Sequence, residues 1–329
     1  MPLGTFDGSG NFSDTLTASS SPLLASPSGA TSKAAATTTK TKEAPALPPG
    51  LALALGHLRD ALVNIICVSK GDVTRSISGS GVVISSDGLI LTNAHVSQLF
   101  LLTDYKKSNS VVCVIRNGNP ARTAYFAELA YISSPWITKN AASLTLKDPK
   151  GTGENDFAIL AIIKSATADG LPSSFPFVSL SSEIPYDKQP VAFGSYGAQT
   201  LSTKQIKDFL YPTLVFGTVM DRFTFTEQEV DVLSLGGSAV AQEGSSGGGV
   251  VNTDGKLMGI LSTSSVEGDL VKRDLHAITL GHIRRSFLND TGMDFDTYIA
   301  RSSPATLVAN FSEEKQSLAT KLFGAISGK

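Results

Sequence analysis

The sequence predicts an all-β protein of two successive antiparallel barrels, closed off by C-terminal helices. Three observations carry this. From Val63 onward, short β-branched runs alternate with clusters of Gly, Asn, Asp and Ser, the rhythm of a barrel or sandwich. Helical spacing is sparse until about position 281. A polar, Pro-containing connection, Ser165 to Asp187, splits the runs into two groups.

Residues 1 to about 49 are dominated by Ser, Thr, Ala, Gly and Pro, close on Pro48-Pro49-Gly50, and read as a disordered tail. From Leu51 the composition changes, and a helix-like stretch, Leu51 to Leu62, leads into the run Val63 to Val68. The first group continues with Gly81–Ser85, Leu89–Thr92, Ser110–Arg116, Phe126–Ser133 and Phe157–Ile163. The second comprises Pro190–Gly194, Leu214–Arg222, Val230–Ser234, Gly248–Asn252, Lys256–Ser262 and Leu275–Thr279. This places barrel 1 at about 58–165 and barrel 2 at about 188–280, within a folded unit spanning 50–290. Apolar residues at helical spacing in Gly281 to Leu288 and Ser312 to Ile326 end the chain in helices, with 291–329 as an extension.

At 329 residues and 41% hydrophobic, the chain has room for about two structural units and a sizeable core. Its 27 basic and 29 acidic side chains are interspersed, for a net charge of -2, which gives no footprint for nucleic acid. No apolar run reaches the roughly 20 residues of a membrane span, since Leu51 to Val68 is broken by His57, Arg59 and Asp60. Met1 to Ser20 is polar and lacks the basic and apolar regions of an export signal, so none is expected in the chain as given. Cys67 and Cys113 each sit in an apolar run, where cysteine acts as a small buried hydrophobe. Two thiols are too few for a stapled scaffold, and a bridge between them is the lesser alternative.

The chemistry starts at Glu243-Gly244-Ser245-Ser246-Gly247-Gly248-Gly249, a tight turn ahead of Val250-Val251. A nucleophilic serine needs an exposed hydroxyl and backbone N–H groups aimed at a developing oxyanion, and Ser246 is placed for that. Its hydroxyl needs a base, and there are four histidines. His57, His276 and His282 read as solvated or capping side chains. His95 follows the turn signature Ser85-Ser86-Asp87-Gly88 and the strand Leu89-Ile90-Leu91, at a strand end where its ring can face a cleft. A third group must orient the imidazole and stabilise its cation, and Asp156 heads the run Phe157 to Ile163.

With these motifs in the order His, Asp, Ser, the sequence resembles the trypsin-like serine proteases, nearest the HtrA-like branch. The resemblance rests on Gly79-Ser80-Gly81-Val82-Val83-Ile84 and Leu91-Thr92-Asn93-Ala94-His95-Val96, then Asn155-Asp156-Phe157-Ala158-Ile159-Leu160, then Gly244-Ser245-Ser246-Gly247-Gly248. It covers about Leu58 to Leu288 and implies two six-stranded barrels of the chymotrypsin fold with a cleft between them. It further implies His95, Asp156 and Ser246 as a catalytic triad, and the N–H groups of Gly244 and Ser246 as an oxyanion hole. Polypeptides are the implied substrates, with no metal and no cofactor. For this branch an extracytoplasmic location is the expectation if the N-terminus is truncated.

Four departures qualify the resemblance. Gly249 stands where the family has Pro or Ala, freedom that loosens the oxyanion turn and keeps open a pseudoprotease that only binds peptides. The 61 residues from His95 to Asp156 exceed the family habit, and the excess, around Trp136 and Lys139 to Gly153, reads as a surface loop. About forty residues follow Leu288, too few for a PDZ domain. Val240 lies six positions before Ser246, and with Ser262, Thr263 and Ser264 as pocket wall it suits a small or medium apolar P1 side chain. An esterase elbow fits the letters Gly244 to Gly248 but needs a strand-to-helix turn with His last in the chain.

Overall fold

The computed structural model describes residues 48–328 apart from 71–73, 75, 147–151, 226–228 and 264–268. Nearer the N-terminus it describes only Thr5–Phe6 and Phe12–Ser13, paired antiparallel, so the expected tail lies almost wholly outside it.

Six strands form the first barrel: β1 (Leu62–Ser69), β2 (Ile77–Val83), β3 (Leu89–Thr92), β4 (Val111–Asn117), β5 (Arg122–Ile132) and β6 (Ala158–Ser165). They close in the order β1-β2-β3-β6-β5-β4, with every pair antiparallel. Strand β1 is buried along its whole length, as its near-continuous apolar run requires. The Ser85 to Gly88 signature forms the β2–β3 turn, with Gly88 at φ 91° and its N–H donating to Ser85 O at 3.1 Å. Closure sets Cys67 of β1 directly opposite Cys113 of β4. There, with Cα atoms 4.0 Å apart, the two are joined in a disulfide rather than standing as separate hydrophobes.

The second unit is a seven-stranded antiparallel sheet. Its strands are β7 (Pro190–Ser195), β8 (Thr213–Thr218), β9 (Asp221–Phe223), β10 (Val232–Ser234), β11 (Gly249–Val251), β12 (Leu257–Thr263) and β13 (Leu275–Thr279). Their order is β8-β7-β11-β12-β13-β10-β9. The two edges are halves of one bent segment. Val219 donates to Gln189 O at 3.0 Å on the β7 side, and Met220, the next residue, donates to Ser234 O of β10 at 2.9 Å. One segment thus serves both edges and the sheet curls round on itself, which removes open edges as a barrel does.

Helix α1 (Leu51–Ala61) buries Leu51, Ala54, Leu58 and Ala61, a stripe at helical spacing, against β7, β8 and β11, and runs without a loop into β1. It therefore joins the two units. The connection 166–187 does the same as a strap. Phe175 and Val178 donate to Ser86 O and Val83 O of the first barrel, and Ser181 donates to Leu257 O of the second.

Short helices α2 (Ala94–Ser97), α3 (Ser134–Asn140) and α4 (Thr203–Phe209) interrupt the strands, and α5 (Leu280–Thr291), α6 (Phe295–Arg301), α7 (Pro304–Asn310) and α8 (Ser312–Ser327) follow them. The excess between His95 and Asp156 is not wholly a surface loop. Ser133 caps α3, which buries Trp136 and Ile137, and α8 packs over α3 and residues 141–145. Helix α7 lies on β5 and β6 and α8 on β5, so these two cover the first barrel, whereas α5 lies against β12 and β13 of the second unit. No described helix is long and apolar enough to cross a membrane.

Candidate active site

Strand β3 ends at Thr92, Asn93 occupies the N-cap position of the single turn α2 without a side-chain capping bond, and His95 is the second residue of that turn. Asp156 stands two residues before β6. Because β3 and β6 are barrel neighbours, Thr92 pairs with Ala158 and the two strand ends come together. The Asp156 carboxylate grips His95 at two points. Oδ2 lies 2.7 Å from the ring Nδ1, and Oδ1 accepts the His95 backbone N–H at 2.8 Å. Asn93 Nδ2 donates to Asp156 O at 2.9 Å and fixes the backbone behind it.

Such a grip settles the tautomer. A carboxylate can only accept, so Nδ1 carries the proton and Nε2 presents its lone pair. The His95 side chain is 37% exposed and that of Asp156 6%, so the carboxylate is enclosed while the ring reaches the surface. Burial works against the imidazolium, but the charge and hydrogen bond of Asp156 prevail and raise the His95 pKa above 6.5.

Ser246 lies in the turn before β11 and is 9% exposed. Ser80 of β2 welds this turn to the first barrel. Its N–H donates to Ser246 O at 2.8 Å, its Oγ donates to Gly244 O at 2.7 Å, and its own carbonyl accepts Thr92 Oγ1 at 2.7 Å. The same Oγ accepts the Tyr196 N–H at 2.9 Å. Through Ser80 the Ser246 turn is thus linked to the strand end that precedes His95. Ser80 stands in the Gly79 to Ile84 motif, but nothing in the sequence beyond a serine between two glycines in an apolar strand signals this role. Ser245 points inward, its Oγ accepting from Ser195 Oγ at 2.9 Å in a fully buried position.

Gly247 has φ 85°, and a Cβ there would lie 2.0 Å from Ser80 O, so glycine is obligatory for the weld. Gly249 is a different case. It begins β11, where a Cβ would meet Leu58 of α1 at 2.7 Å and Val82 at 2.8 Å. The volume of the missing side chain is filled from the N-terminal helix, and Gly249 is paired with Gly194 and Ile260 inside the sheet.

At Glu243 the carbonyl accepts the Ala198 N–H at 2.8 Å. In a trans peptide C=O and N–H point oppositely, so the Gly244 N–H is directed away from Ala198. Among the described residues it has no acceptor.

Val240 is fully buried in the second core with Leu261, Leu275 and Ala277. Ser262 is half-buried and pairs with His276 across β12 and β13. The Thr263 side chain and Ser264 lie outside the described residues. Buried Arg273 went unremarked in the sequence. It donates to Ala241 O at 2.8 Å and to Gln199 Oε1 at 2.6 Å, beside the residue that follows Val240.

Of the other histidines, His57 is exposed and His276 pairs with Asp274 at 2.9 Å. His282 is neither solvated nor a cap. It is buried with its Nδ1 3.0 Å from Asp231 Oδ1, an interaction between α5 and the start of β10 that no local pattern announces. Among the described residues no group of three or more His, Cys, Asp or Glu is arranged to hold a metal.

A family model described as a trypsin-like peptidase domain matches residues 79–260, more than half of the chain. The chain is similar to the active form of the Rv3671c protease from M. tuberculosis, with 17% identity and a TM-score of 0.45 over 78% of this chain and 95% of that one. For the inactive form of that protease the figures are 16% and 0.43, over 73% and 93%. A serine endoprotease from Yersinia pestis is similar at 22% identity and a TM-score of 0.46, over 75% of this chain and 69% of that one. None of the curated proteins matches the chain.

Proposed function

The chain belongs to the trypsin-like peptidase family and is a serine endopeptidase, and from that premise we propose that His95, Asp156 and Ser246 are its catalytic triad. Ser246 Oγ attacks the scissile carbonyl as His95 Nε2 takes its proton, then returns it to the leaving amine, and water releases the acyl-enzyme. Asp156 holds the tautomer and stabilises the imidazolium. The N–H groups of Gly244 and Ser246 receive the oxyanion. We assign residues 50–290 to the protease domain and 291–329 to a helical extension.

The observation that carries this reading is the two-point grip of Asp156 on His95, which leaves the ring nitrogen Nε2 as a base. The Ser80 weld and a Gly244 N–H without an acceptor among the described residues support the placing of the nucleophile and the oxyanion donors. For the P1 side chain the reading is small or medium and apolar, set by Val240, Ser262, Thr263 and Ser264. The apolar cluster in which Val240 is buried and the nearby Arg273 cation both disfavour a basic residue.

A fluorophosphonate serine probe tests the nucleophile: the parent is labelled and Ser246→Ala is not. Labelling that survives in Ser246→Ala refutes Ser246. Mass mapping of cuts in an unstructured protein tests the pocket, and consistent cleavage after Lys or Arg overturns the P1 reading.

A further inference from the structure

Behind the His95–Asp156 pair lies a second buried cluster that the proposed chemistry leaves unused. Asn155, the residue before Asp156, sits at φ 59°, in the left-handed region that Asn tolerates better than most side chains. Helix α5 grips it twice: its backbone N–H donates to His282 Nε2 at 3.3 Å, and its Oδ1 accepts Ser286 Oγ at 2.5 Å.

This fixes the protonation of His282. The Asn155 N–H can only donate, so Nε2 must offer a lone pair, and the ring proton sits on Nδ1, facing Asp231 Oδ1 at 3.0 Å. Only the neutral ring makes both contacts. A second proton on Nε2 sets donor against donor at Asn155.

We propose that His282 is a positioning residue, whose neutral form latches the Asn155–Asp156 turn to α5, so that its protonation releases that turn and slows turnover. The proposal rests on the triad reading, since it acts through Asp156. It also makes the geometry of a first-barrel carboxylate depend on a helix from the second unit.

The groups facing His282 are known. Asp231 lies on the Nδ1 side and is itself held by Arg285 Nη2 at 2.5 Å and by the Phe225 N–H at 2.6 Å. Arg285, on the same helix, also pairs with Glu229. Glu154 lies on the turn and pairs with Lys139 at 3.0 Å. The Phe225 ring packs edge-on at 4.9 Å. Burial holds the His282 pKa below its ordinary 6.5, against the pull of Asp231, so the latch is closed at neutral pH and opens on acidification.

The test is the rate of fluorophosphonate labelling against pH. In the parent, the logarithm of the rate falls with slope one below the raised His95 pKa and steepens toward two as His282 takes its proton. His282→Gln supplies an acceptor that does not titrate. Its slope stays at one, and its rate near pH 8 is within about threefold of the parent. His282→Phe offers no acceptor at any pH, and the rate there falls about tenfold. A two-proton limb retained in His282→Gln overturns the latch.

Nitrogen NMR of the imidazoles in the parent decides the point even if both variants fail to fold. A proton on His282 Nε2 near pH 8 refutes the proposal. An unlabelled parent, or a labelled Ser246→Ala, overturns the triad reading and the latch with it. That outcome is distinct from a labelled parent whose acid limb ignores His282.

Discussion

Removing one hydroxyl, by Ser80→Ala, tests the weld between the two units. Ser80 is fully buried, and its Oγ both accepts the Tyr196 N–H at 2.9 Å and donates to Gly244 O at 2.7 Å. Alanine keeps the two backbone contacts, Ser80 N–H to Ser246 O and Thr92 Oγ1 to Ser80 O. It strands the buried Tyr196 N–H, at a cost of about 1–3 kcal/mol, and loses the bond to Gly244 O, about 1 kcal/mol more. The sum of about 2–4 kcal/mol corresponds to a fall in melting temperature of roughly 3–7 °C for a protein of this size, at about 2 °C per kcal/mol. Because Gly244 loses its anchor two residues before Ser246, the fluorophosphonate labelling rate at 25 °C should also fall, by about tenfold. Circular dichroism melting and the labelling rate measure the two effects. A melting temperature within about 2 °C of the parent refutes the assignment of Ser80 as a buried two-way hydrogen-bond centre.

Asp156→Asn should leave the circular dichroism spectrum unchanged and lower the labelling rate by about three to four orders of magnitude, since the amide no longer enforces the tautomer; a loss under about tenfold refutes its role. In the parent, the acid limb of the labelling rate should be centred above 6.5, because folded His95 keeps its proton past that value. The linked stabilisation by the charged His95–Asp156 pair is complete below about 6.5 and is lost as pH rises through the raised value. In Asp156→Asn only burial remains, so the limb should move below 6.5; an unmoved limb shows that Asp156 does not set it. Gly249→Ala should cost about 1–3 kcal/mol by overpacking against Leu58, and Leu58→Ala about 2–5 kcal/mol by leaving a cavity. Urea melts of the double variant should show less than the sum, and strict additivity would disprove the complementary fit.

Much of the architecture was legible because it is written in short-range patterns. Leu89–Thr92 and Leu275–Thr279 have the bounds their alternation and flanking turn residues suggested. Other strands differ by one to four residues at an end, where pairing partners rather than propensity decide the limit, as at Ile77–Val83, which starts four residues before Gly81 because Ile77 to Ser80 pair with β1. The single run Leu214–Arg222 hid a bend, because its two halves hydrogen-bond to opposite edges of the sheet. The stretch around Trp136 has the local pattern of a loop, because its helix α3 packs against α8, more than 170 residues later in the chain.

The sequence by itself determined the β rhythm, the two groups of strands, and the order in which a histidine, an aspartate and a Gly-framed serine occur. Each is a property of a residue and its near neighbours. Barrel closure decided the rest, by setting register between distant strands. It placed Cys67 opposite Cys113 and brought Thr92 beside Ala158, so that Asp156 meets His95. Docking of the two units then set Ser80 against the Ser246 turn and His282 behind Asn155. Hydrogen bonds of this kind reach only about 3 Å, so partners separated by a hundred residues or more are chosen by the packing of whole elements.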